Sequence, residues 1–313
     1  MQNLKNGQIT ERNAVSSKIE QAYIIYYEKE GEKNSGFIEM LKTEGRKYEI
    51  DLKYISYEEI EVMSDSIFMK TFKNVVFVIN RTRKYELSKK IESLKIKVFH
   101  SSKITELGND KYKTYCYLKY YFKKKKSDKY LIADTILVKE KDLKKTLENY
   151  IGEDYIIKSV DGHGGNQVFW LKSELESNVH TIYENLKGHN CVLQKRIESD
   201  SNDIRVYVLF GKIYASVLRH GNDDFKSNYS LGGSVTEYFP DKQQREYIQK
   251  FIDAFGENEL CMVGIDFILT TDGKLIFNEL EEMVGSRMLY NCSKHDIVRN
   301  YMEQIAKNEI KAL

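Results

Sequence analysis

The chain has 313 residues, a formal net charge of +2 and 31% charged side chains. So even a balance gives no general attraction to nucleic acid or to an anionic membrane, and no apolar run is long enough to span a bilayer. Hydrophobic residues at 41% and aromatics at 12% describe a globular chain with room for two or three separately packed domains.

Residues 1–20 are polar and aperiodic, and read as a tail. Met1 opens no secretory pattern. Cys116, Cys191, Cys261 and Cys292 are too far apart for a metal-type pair, so reduced thiols in a cytoplasmic protein are expected. Ala22 to Tyr27 forms an apolar strand, and Ser35 to Glu44 carries Phe37, Met40 and Leu41 at helical spacing. Asn74 to Asn80 is a second strand, Glu86 to Leu94 a helix, and Ile96 to Phe99 a third strand. Strands alternating with helices predict a small parallel, Rossmann-like sheet over residues 21–105. No glycine fingerprint follows its first strand, which argues against a dinucleotide site there.

Asp110 is placed to cap a helix running through Tyr115, Leu118 and Tyr121. Lys123 to Lys126 follows among tyrosines, a composition that single-stranded nucleic acid can use. Lysines opposing a helix C-terminal dipole are the simpler account, and no second basic patch accompanies them. Asp154 to Lys158 reads as a strand ending in a lysine, followed by Asp161-Gly162-His163-Gly164-Gly165-Asn166-Gln167. A glycine-rich turn can lay backbone N–H groups along a phosphate chain, or serve as a plain hairpin loop. The lysine before it favours the first. His163 reads as a loop residue rather than a base.

Val192 to Ile197 is another strand, and Asp203 to Phe210 pairs with Ile213 to Arg219 as a hairpin. After Asp224 to Tyr229 and Gly232-Gly233, a helix is expected from about Asp241 to Phe255 and a last one from about Lys294 to Ala306. Between them Met262 to Leu269 and Lys274 to Phe277 flank the turn Thr270-Thr271-Asp272-Gly273, a second hairpin. Asp266 lies on one arm; Glu279 and Glu281 end the other, on one side of their strand. Three converging carboxylates repel unless a cation sits among them, and oxygen ligands suit Mg²⁺ or Mn²⁺ held with substrate phosphates. Taken alone, a solvated acidic hairpin end is the simpler reading.

In this order the motifs resemble the ATP-grasp superfamily, most closely its RimK-like carboxylate–amine ligases, over roughly residues 105–290. Asn109-Asp110-Lys111 stands where the family has a lysine at a helix start. Lys158 with Gly162, Gly164 and Gly165 matches its strand lysine and glycine loop. Gln194, Lys195, Arg196 and Ile197 match the adenine-binding segment, with the ribose acid at Asp203 and the motif Asp203-Ile204-Arg205. Phe225-Lys226-Ser227-Asn228 with Gly232-Gly233, Gly264-Ile265-Asp266 and Glu279-Leu280-Glu281 complete the series. Three departures stand out. Glu281 replaces an asparagine, Lys226 replaces an arginine and loses its bidentate fork, and Glu282-Met283-Val284-Gly285-Ser286-Arg287 replaces a turn that shapes the acceptor pocket.

The resemblance implies an α/β (α+β) ATP-grasp fold with an N-terminal Rossmann-like domain, a central subdomain at 106–193 and a C-terminal subdomain at 194–313. It implies ATP held by Lys111, Lys158, the glycine loop, the adenine segment, Asp203 and Asn228, with Mg²⁺ (or Mn²⁺) on Asp266, Glu279 and Glu281. A carboxylate would take the γ-phosphoryl group, and an amine would displace phosphate to leave an amide. Arg205, Arg219, Lys226 and Arg287 are the candidates for holding substrate carboxylate or acylphosphate, with a structural ion pair as the alternative for Arg205. The expected partners are thus a carboxylate and an amine, with self-association left open. A kinase acting on a hydroxyl and a non-catalytic nucleotide-binding module are the other readings; the full set of lysines and carboxylates argues against the module.

Overall fold

The computed structural model describes residues 19–126, 131–165, 167–174, 176–221, 234–256 and 259–310. Three sheets organise them. The first holds β1 (Glu20–Tyr26), β2 (Ile50–Ser56), β3 (Val75–Asn80) and β4 (Lys97–Phe99) in the order β2-β1-β3-β4. Every neighbouring pair in it is parallel, as the strand–helix alternation requires. Alternate side chains of β1 feed opposite faces. Ile24 and Tyr26 pack with Ile38 and Leu41 of the helix Ser35–Arg46 and with Tyr301, Met302 and Ile305 of the C-terminal helix Ile297–Ile305. Ile25 packs on the other side with Phe68, Phe72, Leu87 and Ile91. A parallel sheet covered on both faces needs near-continuous apolar strands, which Ala22 to Tyr26 and Val75 to Ile79 supply.

The second sheet is antiparallel, with β5 (Thr135–Val138), β6 (Tyr155–Ser159), β7 (Val168–Trp170) and β8 (Cys191–Lys195) in the order β5-β8-β6-β7. The third is also antiparallel: β9 (Asn202–Leu209), β10 (Lys212–His220), β11 (Ser234–Glu237), β12 (Met262–Leu269) and β13 (Leu275–Glu281), ordered β11-β10-β9-β12-β13. Its largely aliphatic core holds a cluster of phenylalanines. Phe251 of the helix Lys242–Phe255 stacks on Phe277 at 5.4 Å and meets Phe267 edge-on at 5.4 Å. Asp241 and Gln244 form a capping box at the start of that helix, which ties down its first turn and so the position of Phe251.

Asp110 caps the helix Lys111–Lys124, accepting from the backbone N–H groups of Tyr112 and Lys113. Leu118 and Phe122 of this helix enter the core of the third sheet, Phe122 lying 4.9 Å from Phe251. Lys111, the first residue of the helix, is thereby held between the second and third sheets. Three strands have no counterpart in the sequence reading, β2, β5 and the short edge strand β11. In β2 a lysine and an aspartate interrupt the apolar pattern, and β5 has only four residues. Asp203, expected to open its strand, is the second residue of β9 and is buried.

Candidate active site

A cavity of about 560 Å³ opens between the second and third sheets. Lys111, Lys158, Gly162, Gly164, Gly165, Gln194, Lys195, Arg196, Ile197, Asp203, Arg205, Arg219, Glu279, Glu281 and Arg287 all border it, so the structure gathers most of the residues read from the sequence. Lys226 and Asn228 lie outside the described residues.

The cationic end is built by β6 and its turn. Lys158 is buried, and its Nζ donates to Asn278 Oδ1 at 3.0 Å. Burial pushes its ammonium down to about 8, against the pull of Glu279. Lys111 Nζ donates to Gly162 O at 2.5 Å and lies 3.8 Å from Glu279 Oε2. Both ammonium groups therefore face the carboxylate strand. Gly162 has no room for a side chain, since a Cβ would lie 2.0 Å from Ser159 Oγ. Gly164 and Gly165 take φ values of 71° and 78°, where a side chain is strained.

Ile156, Val168, Ile197 and Ile268 give the cavity an apolar wall beside Gln194 to Ile197. Gln194 spends its side chain on Thr135 Oγ1 at 2.7 Å, and Arg196 stacks over the Trp170 ring at 4.3 Å. The backbone of this segment is thus what remains to face a flat heterocycle.

The floor of the cavity is an ion-pair lattice that the strand register creates. Arg205 stands directly opposite Asp266, and Asp203 directly opposite Arg219. Arg205 donates from Nε and Nη2 to Asp266, both at 2.7 Å. Arg219 donates to Asp203 at 2.5 and 2.6 Å, and its Nη2 also reaches Asp266 at 2.7 Å. Two guanidiniums and two carboxylates balance in the interior, the condition for burying charge at tolerable cost. Burial alone would raise the Asp266 carboxyl, but Arg205 and Arg219 together hold it down at about 2.

This lattice sets Asp266 apart from the other two members of the expected metal set. Asp266 is 0% exposed, with three guanidinium bonds on its oxygens, and does not join Glu279 and Glu281 at the cavity wall. Among the described residues no cluster of three or more His, Cys, Asp or Glu side chains is arranged for a metal. In place of Asp266 the wall carries Asn278. Asp266 pairs with Glu279 while Phe267 pairs with Phe277, so Asn278 is the extra residue of a β-bulge. The bulge turns Asn278 into the cavity beside Glu279 and Glu281. Two carboxylates and a carboxamide oxygen still fit a hard cation whose remaining ligands are phosphate oxygens and water. Glu281 makes no ion pair or hydrogen bond with the described residues, which leaves its oxygens for such an ion.

Arg205, read either as a substrate ligand or as an ion-pair partner, is in the ion pair. Both Arg205 and Arg219 nevertheless border the cavity, and no partner holds either Nη1 among the described residues. Arg287 borders it too and is exposed, without a carboxylate partner among the described residues.

Three features at or beside the cavity have no functional role in the sequence reading. Asn278 is one. His163 is another: its ring is largely covered and its Nε2 lies 2.9 Å from Asn109 Oδ1. The third is Glu282, 1% exposed, with neither oxygen hydrogen-bonded and Arg83 Nε at 3.8 Å. Burial, then the charge of Glu281, push its carboxyl up to about 8. No local pattern announces any of them, because each depends on segments distant in the sequence.

The RimK-like ATP-grasp domain profile matches residues 122–305. The chain is 25% identical over 276 residues to "Uncharacterized protein MG011 homolog" of Mycoplasma pneumoniae, covering 88% of each chain. It is 28% identical over 161 residues to a "Probable alpha-L-glutamate ligase" of Maridesulfovibrio salexigens, covering 50% of this chain and 52% of that protein. The fold superposes on D-alanine–D-alanine ligase from Bacillus anthracis, solved with ATP, with a TM-score of 0.67 and 15% identity over 94% of this chain and 98% of that one. The profile spans more than half of the chain, including the carboxylate hairpin, both guanidiniums of the lattice and the Lys158 strand, and the chain belongs to the RimK-like ATP-grasp family.

Proposed function

We propose that the chain is an ATP- and Mg²⁺-dependent carboxylate–amine ligase that forms an amide through an acylphosphate. The observation that carries this reading is the meeting of Lys111, Lys158 and the glycine turn with Glu279, Glu281 and Asn278 in one cavity that also has an apolar wall.

Adenine would lie on that wall against the backbone of Gln194 to Ile197, with Asp203 at the ribose side. The triphosphate would displace Lys111 from Gly162 O and Lys158 from Asn278, taking both ammonium groups as donors. Glu279, Glu281 and Asn278 would hold Mg²⁺, which supplies charge neutralisation on the transferring phosphoryl group. Asp266 acts at one remove by fixing Arg205 and Arg219. The free Nη1 groups of both arginines, with Arg287, are the donors placed for a substrate carboxylate and for its acylphosphate. Preorganised donors in a covered cleft do most of the work in phosphoryl transfer, so the protein needs position more than a nucleophile of its own.

The name of the Maridesulfovibrio relative makes glutamate the first carboxylate to test. Incubation with ATP, Mg²⁺, hydroxylamine and a panel of carboxylates led by L-glutamate should yield a hydroxamate and ADP. ADP without hydroxamate, together with a phosphorylated alcohol, would establish the kinase reading instead.

A further inference from the structure

The ligase reading leaves one step without a residue. An amine is an ammonium ion at neutral pH and must lose a proton before it can attack. His163 is placed for that task. It lies between Gly162 and Gly164, both of which border the cavity. Its neighbour Gly162 is held by the ammonium of Lys111, itself 3.8 Å from Glu279. The imidazole is therefore one residue from the point where Lys111 meets Glu279, where the ligase reading puts the polyphosphate. Its ring turns toward Asn109, beside the cavity lining and on the side where the loop after β3 brings Arg83. That is the carboxyl edge of the parallel sheet, the usual place for a ligand in such sheets.

The tautomer follows from the contact. Asn109 Oδ1 can only accept, so Nε2 carries the hydrogen and Nδ1 keeps its lone pair. Nδ1 has no hydrogen-bond partner among the described residues. We propose that His163 Nδ1 takes the proton from the amine that attacks the acylphosphate, a role that rests on the ligase reading. The proton passes to Nδ1, and the amine nitrogen bonds to the acyl carbon. The bond from that carbon to the bridging oxygen breaks, inorganic phosphate leaves with the electron pair and takes the second N–H proton, and the imidazolium returns the first to water.

The charged groups around the ring make this base conditional. Burial first, then Arg83 and Lys111, hold the imidazole down at about 4, with Glu279 and Asp161 opposing them. Phosphate oxygens on Lys111 would cancel part of that positive charge. His163 thus gains basicity once the phosphorylated substrate is in place, which delays proton removal until an electrophile exists.

The test gives the full chain ATP, Mg²⁺ and a panel of carboxylates, with hydroxylamine as nucleophile in one arm and α-amino acids in the other. Hydroxylamine is already unprotonated at neutral pH and needs no base. His163→Gln should slow amide formation about a hundredfold, within the range of general-base effects, and hydroxamate formation by a small factor only. The variant's amide rate should climb with pH as free amine accumulates. In Asn109→Asp a carboxylate on Nε2–H makes the ring more basic, so amide formation persists and its acid limb moves to higher pH. Equal losses in both arms, in a variant that keeps its ADP affinity, would mean a structural loop residue and overturn the proposal. An unchanged amide rate in His163→Gln, or an unmoved limb in Asn109→Asp, would overturn it as well. No hydroxamate from the wild type with any carboxylate would remove the ligase reading itself, and the proposal with it.

Discussion

Lys158 Nζ donates to Asn278 Oδ1 at 3.0 Å, joining the lysine strand of the central sheet to the carboxylate strand of the C-terminal sheet. The ammonium is parked on a neutral carboxamide, so an incoming phosphate exchanges a weak partner for a strong one.

Nucleotide affinity should therefore depend on pH. Burial holds the Lys158 ammonium at about 8 in the free protein, and a bound polyphosphate raises it. Below that value the site is charged and ready; above it, binding must take up a proton. ADP affinity measured by calorimetry should fall by up to about tenfold per pH unit above pH 8, with proton uptake visible as a buffer-dependent enthalpy. Lys158→Met should bind weakly and lose the dependence. A flat wild-type profile across that range would show that Lys158 does not touch the phosphates.

Turnover should separate Glu279 from Glu281. Glu279→Gln removes a carboxylate that faces both Lys111 and the cavity. Single-turnover ADP release at saturating ATP and Mg²⁺ should slow by on the order of a hundredfold, while nucleotide affinity changes little. Glu281→Asn keeps an oxygen ligand and should retain activity. A Glu279→Gln protein turning over at the wild-type rate would show that this wall has no part in the chemistry.

Asp266→Asn should destabilise the fold strongly, apart from any effect on metal. The substitution leaves two buried guanidiniums sharing one carboxylate, a situation that costs about 3–5 kcal/mol. Urea denaturation should show a large fall in midpoint, and Asp203→Ala a fall of the same kind, since Asp203 is buried on β9. Midpoints equal to wild type would mean that the lattice carries no net charge balance worth keeping.

His100 gives the fold an acid limit. It is 2% exposed, its Nε2 accepts from the Met262 N–H, and burial followed by the charge of Arg81 push it down to about 3. A base whose folded value lies below its unfolded value stabilises the fold fully above the unfolded value. That stability is lost as pH falls through the window from about 6.5 to about 3. Between neutrality and pH 4 the loss from this group should be roughly 3 kcal/mol, read as a drop in melting temperature. His100→Gln, which can still accept from Met262, should flatten the profile; an equally steep one would place the acid sensitivity elsewhere.

Much of this molecule was legible in one dimension. The strand before Lys158, the turn of glycines and the hairpin carrying Asp266 are local patterns whose residue types state their own conformations. The pairing of Asp266 with Arg205 was not legible, because it needs the register of β12 on β9, some sixty positions apart in the sequence. The same holds for burial. Asp203 and Asp266 are indistinguishable from solvent-facing acids until guanidiniums from other strands close over them. The contact of His163 with Asn109 was not legible either, because the two stand on different elements.

The extra residue in β13 changes what a strand can present. An unbroken strand turns every second side chain to one side, so the four positions from 278 to 281 would offer the cavity two. With the bulge they offer three oxygen-bearing side chains within about 10 Å of backbone. Shortening this strand by one residue would restore regular pairing and swing Asn278 out of the cleft, stranding the Lys158 ammonium without its acceptor. The length of the hairpin is therefore fixed by chemistry at its far end. Insertions and deletions should be tolerated at the Thr270–Gly273 turn and rejected between Phe277 and Glu279.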